Sequence, residues 1–304
     1  MLRDLVIIGA GPAGMTAAVY AARKKVDSVL YSSTVGGLAA WSVGIENYMG
    51  YSLISGPELM SKFEDQVREF NIPIELASVE KVTREDRIFT IHIEGGEQVQ
   101  AKSVIIATGR SPRRLGVPGE KEFIGRGITY CATCDAPLFA KMDVAVIGGG
   151  NAALGTIEQL LRIASKVYSV SIAGWSADPI LQERVQHAEK IEIYKGYDIV
   201  AIEGEVFVEK LRIRSKKTEE EVELPVRGVF VEIGSEPNTK IVTGLVDLND
   251  RQEIKVDCGD HTSTEGLFAA GDVTDIPGKQ IIVAAGEGAK AALSAYDYLI
   301  RLAD

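Results

Sequence analysis

Short, uninterrupted apolar runs that close on glycine punctuate this chain. Leu5-Val6-Ile7-Ile8 leads into Gly9, Val104-Ile105-Ile106-Ala107 into Thr108-Gly109, Val144-Ala145-Val146-Ile147 into Gly148, and Leu267-Phe268-Ala269-Ala270 into Gly271. Such runs predict strands buried on both faces of a parallel sheet, because a half-exposed strand would alternate. Helices are expected in the alanine-rich stretch to about Arg23, from Leu154 to Ile163 and from about Val283 to Arg301. Another opens at Ser55-Gly56-Pro57-Glu58, a capping box with proline in the first turn, and places Leu59, Phe63, Val67 and Phe70 on one apolar face. From Val79 to Ala101 and from about Val200 to Leu224 the pattern alternates, as antiparallel excursions do, with turns at Gly95-Gly96 and Ser215-Lys216-Lys217-Thr218. Gly228 to Gly234 closes the second series as Val104 to Gly109 closes the first. One plan occurs twice, so the fold class is α/β with two Rossmann-like dinucleotide-binding domains.

The first glycine loop, Gly9-Ala10-Gly11-Pro12-Ala13-Gly14, stands between a strand and a helix, the context that gives this pattern its meaning. Gly9 permits the turn, Gly11 lets backbone amides approach a pyrophosphate, and Gly14 lets helix pack on strand. The next strand ends in Ser32-Ser33-Thr34 instead of the usual acidic residue, leaving hydroxyls for the ribose. Gly148-Gly149-Gly150-Asn151-Ala152-Ala153 repeats the fingerprint with alanine in the third place. Gly271-Asp272 ends the last strand, where the aspartate can accept from a ribityl hydroxyl or serve as a plain N-cap.

At 304 residues the chain is long enough for two cores, and 46% apolar with 25% charged residues describes a globular protein. Its net charge of −10 repels a phosphate backbone and argues against general nucleic-acid binding. No apolar segment is long enough to span a membrane, and Met1-Leu2-Arg3-Asp4 runs straight into a strand, so neither signal peptide nor anchor is expected. Three cysteines exclude a secreted disulfide scaffold and point to the cytoplasm.

Two of those cysteines form the motif Tyr130-Cys131-Ala132-Thr133-Cys134-Asp135. A Cys-x-x-Cys pair can close one tight disulfide and shuttle two electrons, and Asp135 stands next to it to handle a proton. A zinc knuckle would need four ligands, and only Cys258 and three scattered histidines remain. Cys258 reads as a spectator thiol, His92, His187 and His261 show no partner in sequence, and Trp41 and Tyr48 are loop aromatics that either pack locally or approach a cofactor.

Taken together, Gly9 to Gly14, Gly36-Gly37, Cys131 to Asp135, Gly148-Gly149-Gly150, Gly271-Asp272 and Lys279-Gln280 make a chain that resembles the low-molecular-weight thioredoxin reductase family of FAD-containing disulfide oxidoreductases, over its whole length. The resemblance implies a three-layer ββα arrangement in each half and a second domain inserted into the first. The FAD domain would be 1–112 with 238–304, and the NAD(P)H-binding-like domain carrying the cysteines 113–237. It implies a homodimer that reduces thioredoxin or a similar small disulfide protein. Cys134 would lie nearest the flavin, Cys131 would attack the partner disulfide, and Asp135 would be the general acid. Expected FAD contacts are Gly9, Gly11, Pro12, Ala13, Gly14, Ser32, Ser33, Gly36, Gly37, Leu38, Asn47, Thr108, Gly109, Gly271, Asp272, Lys279, Gln280 and Ile281.

One departure concerns the electron donor. Where the family grips the NADPH 2′-phosphate with arginines, the matching positions are Ser171, Ile172 and Ser176. A charge-assisted hydrogen bond contributes roughly 1.5 to 3 kcal/mol, so losing two costs about 10² to 10⁴ in affinity. No acidic residue at 170–174 selects NADH instead, although Asp178 follows. The expectation is therefore a donor other than NADPH, with ferredoxin as the family's precedent and Arg110, Arg113, Arg114, Lys121 and Arg126 as the basic surface that would receive it. The alternatives are a conventional NAD(P)H-dependent reductase and a flavin-bound redox sensor without turnover.

Overall fold

The computed structural model describes residues 2–42 and 44–303. The chain opens with β1 (Leu2–Ala10), α1 (Pro12–Arg23), β2 (Ser28–Val35), α2 (Gly56–Glu69), β3 (Ile74–Leu76), β4 (Val79–Glu85), β5 (Ile88–Ile93) and β6 (Gln98–Ile106). These strands lie in the order β3-β2-β1-β6-β5-β4, parallel from β3 to β6 and antiparallel beyond. The long strand β6 forks: Gln98 to Ala101 pair with β5, while Val104 to Ile106 pair with β17 (Leu267–Ala269) from the far end of the chain. That fork peels β4 and β5 away as a separate layer over one face of the parallel strands.

The uninterrupted run in β1 follows from this layering. Leu5 and Ile7 pack against α1, α2 and the C-terminal helix (Ile281–Ala303), while Val6 and Ile8 pack against Val82, Phe89 and Ile91 of the antiparallel layer. All four are at most 3% exposed, and burying each contributes roughly 1.5 to 3 kcal/mol. At α2, Ser55 is the N-cap and accepts from the Glu58 amide at 3.3 Å.

After β7 (Arg110–Pro112) the second series begins with β8 (Ile128–Thr129), α3 (Ala132–Asp135), β9 (Asp143–Ile147), α4 (Asn151–Leu160), β10 (Lys166–Ser171), α5 (Pro179–Gln186) and β11 (Ile191–Lys195). It continues through the antiparallel β12 (Tyr197–Gly204), β13 (Val208–Ser215) and β14 (Glu221–Pro225) to β15 (Gly228–Val231). The order β11-β10-β9-β15-β8 is parallel throughout. Strand β9 repeats the division seen in β1, with Val144 and Val146 facing α4 and Ala145 and Ile147 facing the antiparallel layer. Two Rossmann-like α/β units result, the second inserted into the first.

The chain leaves the first unit through β7 and returns through β16 (Ser235–Pro237), and these two strands pair antiparallel as a ribbon. Arg110 ties the ribbon down: its guanidinium donates to Ser235 and, at 2.6 Å, to the buried carboxylate of Glu253. The last helix, α6 (Ile281–Ala303), then closes the first unit. Among the described residues no helix is long and apolar enough to cross a membrane, and no group of three or more His, Cys, Asp and Glu side chains is placed to hold a metal.

One carboxylate in this unit opposes folding. Asp260 is fully buried; among the described residues neither of its oxygens accepts a well-aligned hydrogen bond, although Lys290 Nζ of α6 lies 3.0 Å away. Burial pushes its carboxyl up to about 6, against the pull of Lys290. A carboxyl raised on folding favours the native state while protonated, so its contribution is full below the unfolded value and lost as pH rises through about 6. Asp260→Asn is therefore expected to be more stable than the parent at pH 8 by about 2 kcal/mol, a gain that fades towards pH 4. Urea unfolding of both proteins across that range checks it.

Candidate active site

A cavity of about 1280 Å³ lies between the carboxyl ends of the first sheet and the second unit. That exceeds the roughly 300 to 1,000 Å³ of most small-ligand sites and suits an elongated dinucleotide. Of the expected cofactor contacts, Gly9, Gly11, Pro12, Ala13, Ser32, Ser33, Gly37, Leu38, Thr108, Gly109, Gly271, Asp272, Lys279, Gln280 and Ile281 line it. Gly14, Gly36 and Asn47 do not. A Cβ on Gly14 would stand 1.7 Å from the Gly9 carbonyl oxygen, so its work is packing. Gly36 adopts φ +94° and donates its N–H to Ala10 O at 2.7 Å, while Asn47 donates to the Gln280 side chain at 3.0 Å.

The lining fits a flavin dinucleotide. At Gly11 a Cβ would meet nothing within 4 Å, so the N-terminus of α1 opens directly onto the cavity. At the other end Asp272 is pushed up by burial, and Lys279 and Arg110 pull it back. Lys279 is itself pushed down by burial and donates to Thr274 O. Behind them Glu287 of α6 accepts from the Gly271 amide at 2.9 Å and fixes that turn.

The opposite wall carries Cys131, Cys134 and Asp135. The two cysteines are joined as a disulfide, with Cα atoms 5.4 Å apart. Cys131 is the extended N-cap of α3 and Cys134 comes one turn later, which brings the sulfurs together. Asp135 is buried and accepts from Thr129 Oγ1 and, at 2.6 Å, from Ser42 Oγ. Ser42 belongs to the first unit, so this hydrogen bond crosses the seam. Beside it the Arg114 guanidinium lies over Trp41 and Tyr130, at 4.8 and 5.3 Å from their ring centroids. Tyr130 donates to Glu120, and its hydroxyl is pushed up to about 12 by burial, with Glu120 adding to the effect.

The second glycine loop differs from the first. Gly148 and Gly150 match Gly9 and Gly11 in conformation, but the backbone of Gly174 crowds Gly149, whose carbonyl accepts from the Ser176 and Ala177 amides. Asn151 and Asp178 bond reciprocally across the loop. Ser171 is buried, Ile172 and Ser176 are exposed without a guanidinium, and Trp175 stacks under Lys195 at 4.2 Å.

The basic surface expected from Arg110, Arg113, Arg114, Lys121 and Arg126 is not a patch of free cations. Arg110 is paired inside with Glu253, Arg113 with Glu236, and Arg114 is spent on the aromatic pair; Lys121 and Arg126 remain exposed. Two histidines also gain partners, His92 with Thr83 at 3.0 Å and His261 with Asp257 at 2.9 Å. Cys258 is an exposed thiol, and Tyr48 packs edge-on against Phe63. Ser42, Glu120 and Glu253 carried no signal in the sequence, since the partners that bring them to the site, Asp135, Tyr130 and Arg110, are 10 or more positions away.

A model of the pyridine nucleotide-disulphide oxidoreductases matches residues 3–288. The chain belongs to that family. Within it, thioredoxin reductase from Streptococcus pyogenes MGAS5005 is 36% identical, with a TM-score of 0.93 over 99% of both chains. A ferredoxin-flavin thioredoxin reductase from Clostridium acetobutylicum is 33% identical over 99% of both chains, with a TM-score of 0.55. An NADH dehydrogenase from Bacillus subtilis (strain 168) is 39% identical over 98% of this chain, which spans 59% of that relative. The chain is thus a thioredoxin reductase-like oxidoreductase, and the family implies FAD.

Two glycines of the first loop separate folding from binding. Gly14→Ala is expected to lower stability by about 1 to 3 kcal/mol because backbone must shift. Gly11→Ala is expected to leave the melting temperature of the apoprotein unchanged and to weaken FAD binding at least tenfold. Thermal melts and flavin titration of both variants check this.

Proposed function

We propose that this protein is a flavin-dependent disulfide reductase that delivers two electrons through the Cys131–Cys134 pair to thioredoxin or a similar small protein, and that its donor is not NADPH. The observation that carries the reading is the placement of the disulfide on the wall facing the α1 N-terminus and Asp272, within one cavity. FAD, held by the glycine loop, Asp272 and the 279–281 turn, supplies the two-electron redox chemistry when bound. The residues of the chain do the rest. By the resemblance to thioredoxin reductases, Cys134, one turn inside the helix, would exchange electrons with the cofactor, and Cys131, at its extended N-cap, would attack the partner disulfide. Asp135 handles the proton; here it accepts from Ser42 and Thr129, and opening of the seam would withdraw the Ser42 donor. Residues 1–112 with 238–304 form the FAD-binding unit and 113–237 the unit that moves, in a homodimer.

Absence of guanidinium groups at Ser171, Ile172 and Ser176 supports a donor other than NADPH, and a ferredoxin is the candidate in view of the Clostridium relative. With Arg110, Arg113 and Arg114 engaged, Lys121 and Arg126 are the cations of that group left to meet an acidic donor. The retained Gly148 and Gly150 conformations favour the second reading, an NADH- or NADPH-dependent reductase using backbone contacts alone.

Mixed anaerobically with excess NADPH, NADH or reduced ferredoxin, the flavoprotein is expected to bleach with ferredoxin at least 100-fold faster than with NADPH. Bleaching by NADPH at a turnover rate would overthrow the donor assignment. Cys131→Ser is expected to keep its flavin and lose thioredoxin reduction entirely; surviving turnover in an insulin-reduction assay would show that the pair is not the redox centre.

A further inference from the structure

A second, half-buried carboxylate lies beside the helix that carries the cysteine pair. Glu232 follows β15 and is fixed by its backbone: its N–H donates to Ile147 O at 2.8 Å, and its carbonyl oxygen stands 2.3 Å from where a Cβ on Gly148 would be. Its side chain runs between α4 and α3. There Thr156 Oγ1 donates to Oε1 at 3.0 Å, and the carboxyl comes close enough to the amide of Ala132, the residue after Cys131, to be pulled down by it. Glu232 lines the same cavity as Cys131, Cys134 and Asp135.

We propose that Glu232 is a positioning residue of the Cys131–Cys134 couple, holding the turn that carries both sulfurs and setting, through its charge, the pH at which the reduced pair ionises. The inference rests on the reading of that pair as the redox centre. Burial pushes the Glu232 carboxyl up, while Thr156 and Ala132 pull it down. Among the described residues no other charge acts on it at short range. Of the elements packed around it, α3 brings the two cysteines and Asp135, and the one carboxylate of α4, Glu158, faces Arg162 and Arg184 at the surface. The charged residue of β9, Asp143, lies at the opposite end of the strand, and β15 has none.

The chemistry follows from like charges. Reduction of the disulfide breaks the S–S bond and takes up two electrons and two protons, which dithiothreitol supplies as it closes into its own ring disulfide. Ionisation then releases a thiol proton to solvent. An ionised Glu232 opposes that release and a protonated one does not, so carboxyl and thiol titrate as a coupled pair with two steps. Gln at this position keeps an acceptor for Thr156 and Ala132 and removes the charge.

The test is peptide-resolved alkylation of the flavin-loaded protein. It is reduced with dithiothreitol, freed of reagent anaerobically and treated with iodoacetamide between pH 5 and 9, with exposed Cys258 as internal control. In Glu232→Gln the more reactive of Cys131 and Cys134 is expected to alkylate roughly three- to tenfold faster at pH 7, and its pH profile to lose the step that belongs to Glu232. Thr156→Val keeps the charge, removes one donor, and is expected to move the carboxyl step to higher pH. Superimposable profiles for parent and Glu232→Gln would overturn the inference while leaving the pair redox-active. A pair that dithiothreitol reduces but that never exchanges electrons with the flavin would overturn the reading beneath it.

Discussion

Both halves of the molecule are organised by one steric constraint, the contact between a glycine without a side chain and the carbonyl at the end of a neighbouring strand. A Cβ at Gly9 or Gly148 would stand 2.3 Å from the carbonyl oxygen of Ala107 or Glu232. Only glycine allows that approach, and at φ +111° and +146° only glycine adopts the turn without strain. From this contact follow the sharp exit from the strand, the direction of the helix after it, and the opening of the helix N-terminus towards the sheet's carboxyl edge. Ligand chemistry in the first half and the placement of Glu232 in the second descend from the same geometry.

The two halves diverge beyond that contact. In the first, the α1 N-terminus opens onto the large cavity, and buried Glu253 with half-buried Asp272, Lys279 and Arg110 lines the far end. In the second, the 174–178 loop folds onto Gly149 and is stitched to Asn151 through Asp178. Both helix N-termini stay open, and in each loop the central carbonyl accepts from the segment after the next strand, Ala10 from Gly36 and Gly149 from Ser176 and Ala177. The cation positions that would hold a phosphorylated dinucleotide are absent from the second half.

Most of the architecture was legible in the sequence because it depends on local pattern. Strands buried on both faces cannot alternate, glycine loops sit at fixed offsets from them, and the Cys131–Cys134 spacing fits one helical turn. What was not legible depends on proximity between distant segments. Ser42 reads as an ordinary loop serine and meets Asp135 only because the units close on each other. Glu232 reads as the polar end of an apolar strand, since Thr156 and Ala132 are remote from it in sequence. The arginines from 110 to 126 looked like a basic surface because their carboxylate and aromatic partners, Glu253, Glu236 and Trp41, lie elsewhere along the chain.

The ribbon of β7 and β16 has a topological consequence. Pro112 lies opposite Ser235 in antiparallel register, so residues 113–234 occupy the place of a hairpin loop. A tight turn joining those two positions would close the first unit without rerouting any strand. The cysteine-bearing unit is therefore a cassette. Everything between those two positions is continuous in sequence, so the whole unit enters and leaves the first at a single point.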